Sequence, residues 1–184
     1  MKISELQRHV GAEPDGLWGI QSAAACQAHL RSLMPVDNPW PKSNADALTR
    51  FFGKAGNESN LINLDVKGLG IYYDGAKVKT IRCHKKVGDS LHRVLTEISQ
   101  GPDADILREY AGCYNFRAMR GGTSLSCHAW GIAIDLAPDT NGNLTPWPKI
   151  ATMPITVMEA FAREGWLAAG AFWSRDAMHF QSTQ

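Results

Sequence analysis

Apolar positions along the first third of the chain recur at helical spacing. Ile3, Leu6 and Val10 share one face over residues 3–10, and Ala25, Leu30, Leu33 and Met34 share another over residues 22–34, because side chains three and four apart stack on one side of an α-helix. Between them EPDGLWG carries an Asp-Gly turn signal. The pattern predicts a helical hairpin over residues 1–34, and a unit of about 30 residues buries too little surface to fold alone. The stretch MPVDNPWPKSN, with three prolines among polar residues, predicts a linker or wrap-around arm over 35–44, leaving 45–184 as the main domain.

Within that domain GIYYDGAKVKTI holds two short β-rich runs around Asp74-Gly75, the dipeptide favoured in tight hairpins. Val87, Leu91, Val94, Leu95 and Ile98 then predict a helix from about 86 to 100, stopped by Gly101-Pro102. Another runs from about 154 to 164, opening at Pro154 and presenting Val157, Met158 and Phe161 before Gly165. Strands and helices come in blocks rather than strict alternation, which predicts an α+β fold with a small antiparallel sheet and flanking helices.

Composition narrows the function. Of the 184 residues, 44% are hydrophobic and 20% charged, an ordinary globular balance. No apolar run approaches the roughly 20 residues a bilayer span needs, so no membrane span is expected. A net charge of +1 gives no long-range field for nucleic acid. The opening MKISELQRHV has neither an apolar signal core nor a cleavage site, so cytoplasmic synthesis is expected. Cys26, Cys83, Cys113 and Cys127 are scattered without a C-x-x-C pair, which favours reduced thiols, with a Cys113–Cys127 bridge as the lesser reading.

The candidate chemistry lies in SCHAWGIAID, residues 126–135. If residues 131–136 form a strand, Ile132, Ile134 and Leu136 face the core while Gly131, Ala133 and Asp135 face the other way. His128, just before the strand, can curl over that second face. In DAMHFQ the same alternation turns Met178 and Phe180 inward and His179 outward, with Asp176 three residues upstream. Two imidazoles and a carboxylate make an open zinc site with the fourth position left to water, one zinc per chain, and Asp176 is a spare base. His84 and His92 lack the spacing that points two ligands off one helical face. Trp130, Trp166 and Trp173 read as core or cleft wall, and Cys127 should point away from the metal because its neighbour His128 points toward it.

SCHAWGIAID resembles the S-x-H-x-x-G-x-A-x-D signature of the zinc D-alanyl-D-alanine carboxypeptidase family, and DAMHF resembles that family's closing D/E-x-x-H motif. The family includes vancomycin-resistance carboxypeptidases and phage L-alanyl-D-glutamate endolysins. The resemblance implies the fold shared by D,D-peptidases and the Hedgehog signalling domain. It makes His128, Asp135 and His179 the zinc ligands and Asp176 the general base, where many relatives carry Glu. CYNFRAMRGG resembles the stretch whose arginine steadies the scissile carbonyl, with Arg117 the aligned residue and Arg120 the second choice. Ser126 is expected to orient substrate or a ligand, or simply to close a turn.

The hairpin has its own resemblance. LQRHVGAEPDGLWGIQSAAACQAH is similar to about half of a three-helix peptidoglycan-binding domain, including its D-G-x-x-G turn at Asp15, Gly16 and Gly19, and implies a wall contact there that includes Trp18. Ser22 stands where threonine is usual. Together the resemblances imply a monomeric peptidoglycan peptidase that reaches the wall once the membrane is permeabilised. The bond implied is L-alanyl-D-glutamate, with D-alanyl-D-alanine carboxypeptidase as the alternative. Two further readings are a non-catalytic zinc-containing wall-binding module and a non-haem iron oxygenase, since two histidines and a carboxylate also form that facial triad.

Overall fold

A computed structural model describes residues 2–184. In chain order it contains α1 (Ile3–His9), α2 (Ile20–Leu33), α3 (Ala45–Phe52), β1 (Leu61–Asp65), β2 (Tyr72–Tyr73), β3 (Ala76–Lys77), β4 (Thr80–His84), α4 (Gly88–Gln100), β5 (Tyr110–Gly112), β6 (Ala133–Leu136), α5 (Pro138–Asn141), α6 (Ile155–Arg163), β7 (Leu167–Ala168), α7 (Ala169–Trp173) and β8 (His179–Gln181). Every strand pairing is antiparallel: β1 with β4, β2 with β3, and a four-stranded sheet in the order β5-β6-β8-β7. The architecture is α+β.

The four-stranded sheet is the frame of the molecule. Ile134 and Leu136 of β6 and Phe180 of β8 share one continuous core with Val157, Met158 and Phe161 of α6 and the buried face of α4. Phe161 and Phe180 stack with ring centroids 3.9 Å apart. Each fully buried side chain of this size contributes about 1.5–3 kcal/mol, which clamps β6 and β8, the two strands that carry Asp135 and His179. All four residues of β6 are buried, Ala133 included, so the face beyond the core face is covered too.

Asp74 and Gly75 both take positive φ, 47° and 75°, as a two-residue hairpin turn of matching twist demands. The hairpin is shorter than its sequence suggests: Thr80–His84 leaves it to pair with β1, from Leu61 opposite His84 to Asp65 opposite Thr80.

The N-terminal hairpin is organised by Gln7, which is fully buried. Its Nε2 donates to Asp15 Oδ1 at 2.7 Å and Ser22 Oγ at 3.0 Å, while its Oε1 accepts from Gly16 N at 2.8 Å. Leu6, Val10, Cys26 and Leu30 belong to the same continuous core as α6 and β8, and Gln27 Nε2 donates to Ala171 O at 3.1 Å. The proline-rich arm is fastened as well: Trp40 is buried with its Nε1 donating to Glu164 O at 2.8 Å, and Gln184 N donates to Pro41 O at 2.9 Å. Among the described residues no helix is long and apolar enough to cross a membrane.

Candidate metal centre

His128 sits in a 3-10 turn, Cys127–Trp130, that delivers the chain into β6. Ser126 caps that turn, its Oγ accepting from His128 N at 3.4 Å. Gly131 ends it at φ 70°, and a Cβ there would meet His84 N and Leu61 Cδ2 at 3.0 Å each, so both the left-handed conformation and the close approach to β4 call for glycine. Asp135 follows on β6 and faces His179 of β8 across the ladder.

The three side chains converge. His128 Nε2 lies 3.2 Å from His179 Nδ1, and Asp135 Oδ1 lies 3.3 Å from the first and 3.0 Å from the second. Donors held tetrahedrally at zinc's roughly 2.0–2.1 Å stand about 3.3–3.4 Å apart, so the triangle has the right size. The sequence placed these groups on exposed faces. They are instead sunk below the surface, with relative exposures of 4%, 9% and 8% for His128, Asp135 and His179.

The protons decide what such a triangle can hold. His128 Nδ1 lies 2.7 Å from the carbonyl oxygen of Cys113, which only accepts, so that nitrogen carries the hydrogen and Nε2 presents a lone pair. His179 Nε2 donates to Gln181 Oε1 at 3.0 Å, and the Gln181 amide is oriented by its own donation to Thr183 Oγ1 at 2.6 Å and Ser43 Oγ at 3.1 Å. With neutral rings, two bare nitrogens and a carboxylate oxygen face one another within 3.3 Å. Such an arrangement needs a cation at its centre, and outer hydrogen bonds of this kind commonly orient metal-ligating histidines.

Without a metal, protons meet the same demand. Burial alone would raise Asp135, but its hydrogen bonds and charge interactions with His128 and His179 hold its carboxyl well below the usual range. Burial alone would lower His179, yet the Asp135 hydrogen bond and charge push it above the ordinary histidine value.

Asp176 stands beside this triangle in a strained turn. It takes φ 59° and Ser174 takes φ 60°, a region that costs non-glycine residues free energy and recurs at functional sites. His179 N donates to Asp176 O at 2.9 Å, closing the turn. Among the described residues Asp176 Oδ1 is the buried side-chain atom without a hydrogen-bond partner. Burial, with the Asp135 charge adding to it, raises its carboxyl above the usual value. Trp173, exposed, stacks on His179 with centroids 5.7 Å apart and planes 25° apart.

Other sequence candidates fall into two groups. Arg117 is half-buried on the loop before His128; its backbone carbonyl accepts from Ser126 N at 3.1 Å, and its Nη1 donates to Ala118 O at 3.3 Å, within its own loop. Arg120 is exposed. At the hairpin turn Asp15 Oδ1 accepts from Leu17 N at 2.8 Å, Gly16 takes φ 78°, Gly19 caps α2, and Trp18 packs edge-on against Trp147 at 5.5 Å. This turn is far along the chain from the triangle and shares no ligand with it.

His84 is spent structurally, with Nε2 donating to Phe52 O at 2.9 Å and Nδ1 accepting from Lys86 N at 3.1 Å. The four cysteines are free, and Cys127 is half-buried with its thiol pushed up to about 11 by burial. Cys113 O and Gln181, which set the two histidine tautomers, went unnoticed in the sequence. The His179-x-Gln181 alternation was the available signal, since both residues lie on one face of β8.

The model of a family described as D-alanyl-D-alanine carboxypeptidase matches residues 120–182. That interval contains His128, Asp135, Asp176 and His179 and covers about a third of the chain. No curated protein and no solved structure gives a match. The match supports a peptidase of that family, and His128, Asp135 and His179 form a donor set of the kind that can hold a metal ion.

Proposed function

We propose that this protein is a zinc-dependent peptidoglycan peptidase, an endolysin that hydrolyses a stem-peptide bond, with L-alanyl-D-glutamate the preferred candidate. The observation that carries the reading is the unpartnered, buried Asp176 Oδ1 beside a triangle of three metal donors. A purely structural zinc site has no use for a strained, desolvated carboxylate at its edge. The same feature disfavours a non-catalytic wall-binding module.

His128 Nε2, Asp135 Oδ1 and His179 Nδ1 would hold the zinc, which when bound lowers the pKa of water to near 7 and polarises a carbonyl. Asp176 takes the proton of the attacking water and passes it to the leaving amine, a role suited to a carboxylate whose affinity for a proton is raised by burial. Arg117, whose guanidinium here donates to Ala118 O within its own loop, would turn from that contact to steady the developing oxyanion. Ser126 acts by capping the His128 turn, and Trp173 walls the substrate side. The mechanism needs no covalent enzyme intermediate. A D-alanyl-D-alanine carboxypeptidase would use the same groups, and the match of residues 120–182 to a family of that description favours this second reading.

The hairpin is the proposed wall contact. Leu17 and Ile20, flanking the Asp15-Gly16 turn, are 73% and 90% exposed, and an apolar tip held on a rigid turn suits a saccharide-rich surface. Lysis of cell walls should stop when zinc is chelated and return when it is restored. Stoichiometric iron in place of zinc would contradict the reading.

A further inference from the structure

A second convergence of donors lies where the hairpin meets α6. His9 ends α1, His29 lies in the last turns of α2, and Glu159 lies in the middle of α6. His9 Nε2 and His29 Nε2 both meet Glu159 Oε1, at 2.5 and 2.6 Å. The two rings stand edge to face with centroids 5.3 Å apart and planes at 71°. His128 and His179 show 5.1 Å and 66°. The donor types are the same, two imidazole nitrogens and one carboxylate oxygen within 4.8 Å of one another. Here, however, both rings hydrogen-bond to Glu159 Oε1, so an ion entering the cluster displaces those two protons and parts the donors to the roughly 3.3 Å that tetrahedral zinc needs.

We infer that His9, His29 and Glu159 form a second site for a divalent transition ion of the zinc class, one that clamps the N-terminal hairpin onto the main domain. The side-chain exposures grade from 45% at His9 through 24% at His29 to 11% at Glu159. The carboxylate is therefore anchored in the fold, while the open side faces solvent, from which water completes the coordination. Cys26, one turn before His29, is buried in the core and is not among the converging donors. The three ligands come from segments 130 and 150 residues apart. An ion held there bridges three helices and resists separation of the hairpin, as structural metals generally do. No step of the peptidase reaction passes through this site.

The test is the zinc stoichiometry of untagged, chelator-stripped protein titrated with zinc chloride, for the wild type, His9→Gln, His128→Ala and the double variant. The expected equivalents are two, one, one and none, on the order of the ligand arithmetic alone. Because His9 is half exposed, His9→Gln leaves the packing intact, and circular dichroism checks this. Zinc should also raise the melting temperature of His128→Ala but not of the double variant. A wild type that binds a single equivalent, lost in His128→Ala and kept in His9→Gln, would overturn the second site and leave the catalytic reading standing. A single equivalent lost in His9→Gln and kept in His128→Ala would uphold the second site and remove the catalytic one. Unchanged stoichiometry in His9→Gln overturns the proposal outright.

Discussion

His128 Nε2 and His179 Nδ1 face each other at 3.2 Å while each ring's other nitrogen donates outward, to Cys113 O and to Gln181 Oε1. Two elements with no sequence proximity thus present matched lone pairs: the 3-10 turn that leads into β6 holds His128, and the β6-β8 ladder holds His179.

Gln181→Met should therefore weaken zinc binding by about 10–100-fold without touching the metal, since the histidine it orients loses its fixed tautomer. Competition with a chromogenic chelator measures this directly. An unchanged affinity would remove Gln181 from the site.

Asp176→Ala should bind zinc nearly as the wild type does and lose turnover by about 100-fold or more, the scale that general-base catalysis supplies. His128→Ala should instead lose the catalytic metal. Near-normal turnover in Asp176→Ala would transfer the base role to another carboxylate.

Metal-free protein should lose stability as pH rises from acid. His179 is raised above its ordinary 6.5 by Asp135, so its contribution is fully present below 6.5 and disappears as pH climbs through the raised folded value. Zinc replaces the proton there, so the gain in melting temperature on adding zinc should grow across the same window. Melting curves between about pH 5 and 9, with and without zinc, display both trends; a gain that shrinks with rising pH would contradict the charge account.

Ile20→Ser, at the exposed tip of the hairpin, should lower activity on intact sacculi while leaving soluble muropeptide hydrolysis and the melting temperature unchanged, because tethering raises local concentration only on the insoluble substrate. Equal rates on both substrates would reject the wall contact. Deleting residues 1–34 is a different perturbation: it strips Leu6, Cys26 and Leu30 from the common core. The melting temperature should fall by roughly 10 °C or more, given about 2–4 °C per kcal/mol in a chain of this size.

Much of this was legible because local pattern and tertiary demand agree. Ile132, Ile134, Leu136 and Phe180 lie in the core, and α4 buries the face its 3.6 repeat marks. Met178, expected inward, is only half-buried and outside the core, and α6 buries nearly all of its residues rather than one face. The pair β1-β4 was hidden: Leu61–Asp65 has no fully buried residue, so no burial imposed an alternation to read. Helix α3 was hidden too, since it adjoins the proline-rich arm and buries only Leu48 and Phe52. The depth of the candidate metal centre follows from packing around β6, which alternation does not encode. The cluster of His9, His29 and Glu159 has no local spacing at all, since it exists only once α1, α2 and α6 dock.

The most direct test is mass spectrometry of fragments released from purified peptidoglycan by zinc-loaded protein, with the chelated protein and His128→Ala alongside. The account predicts fragments bearing a new N-terminal D-glutamate, released by the zinc-loaded wild type alone. Release of D-alanine instead would move the cut to the D-alanyl-D-alanine bond. Fragment release that persists after chelation and in His128→Ala would contradict a peptidase built on His128, Asp135 and His179.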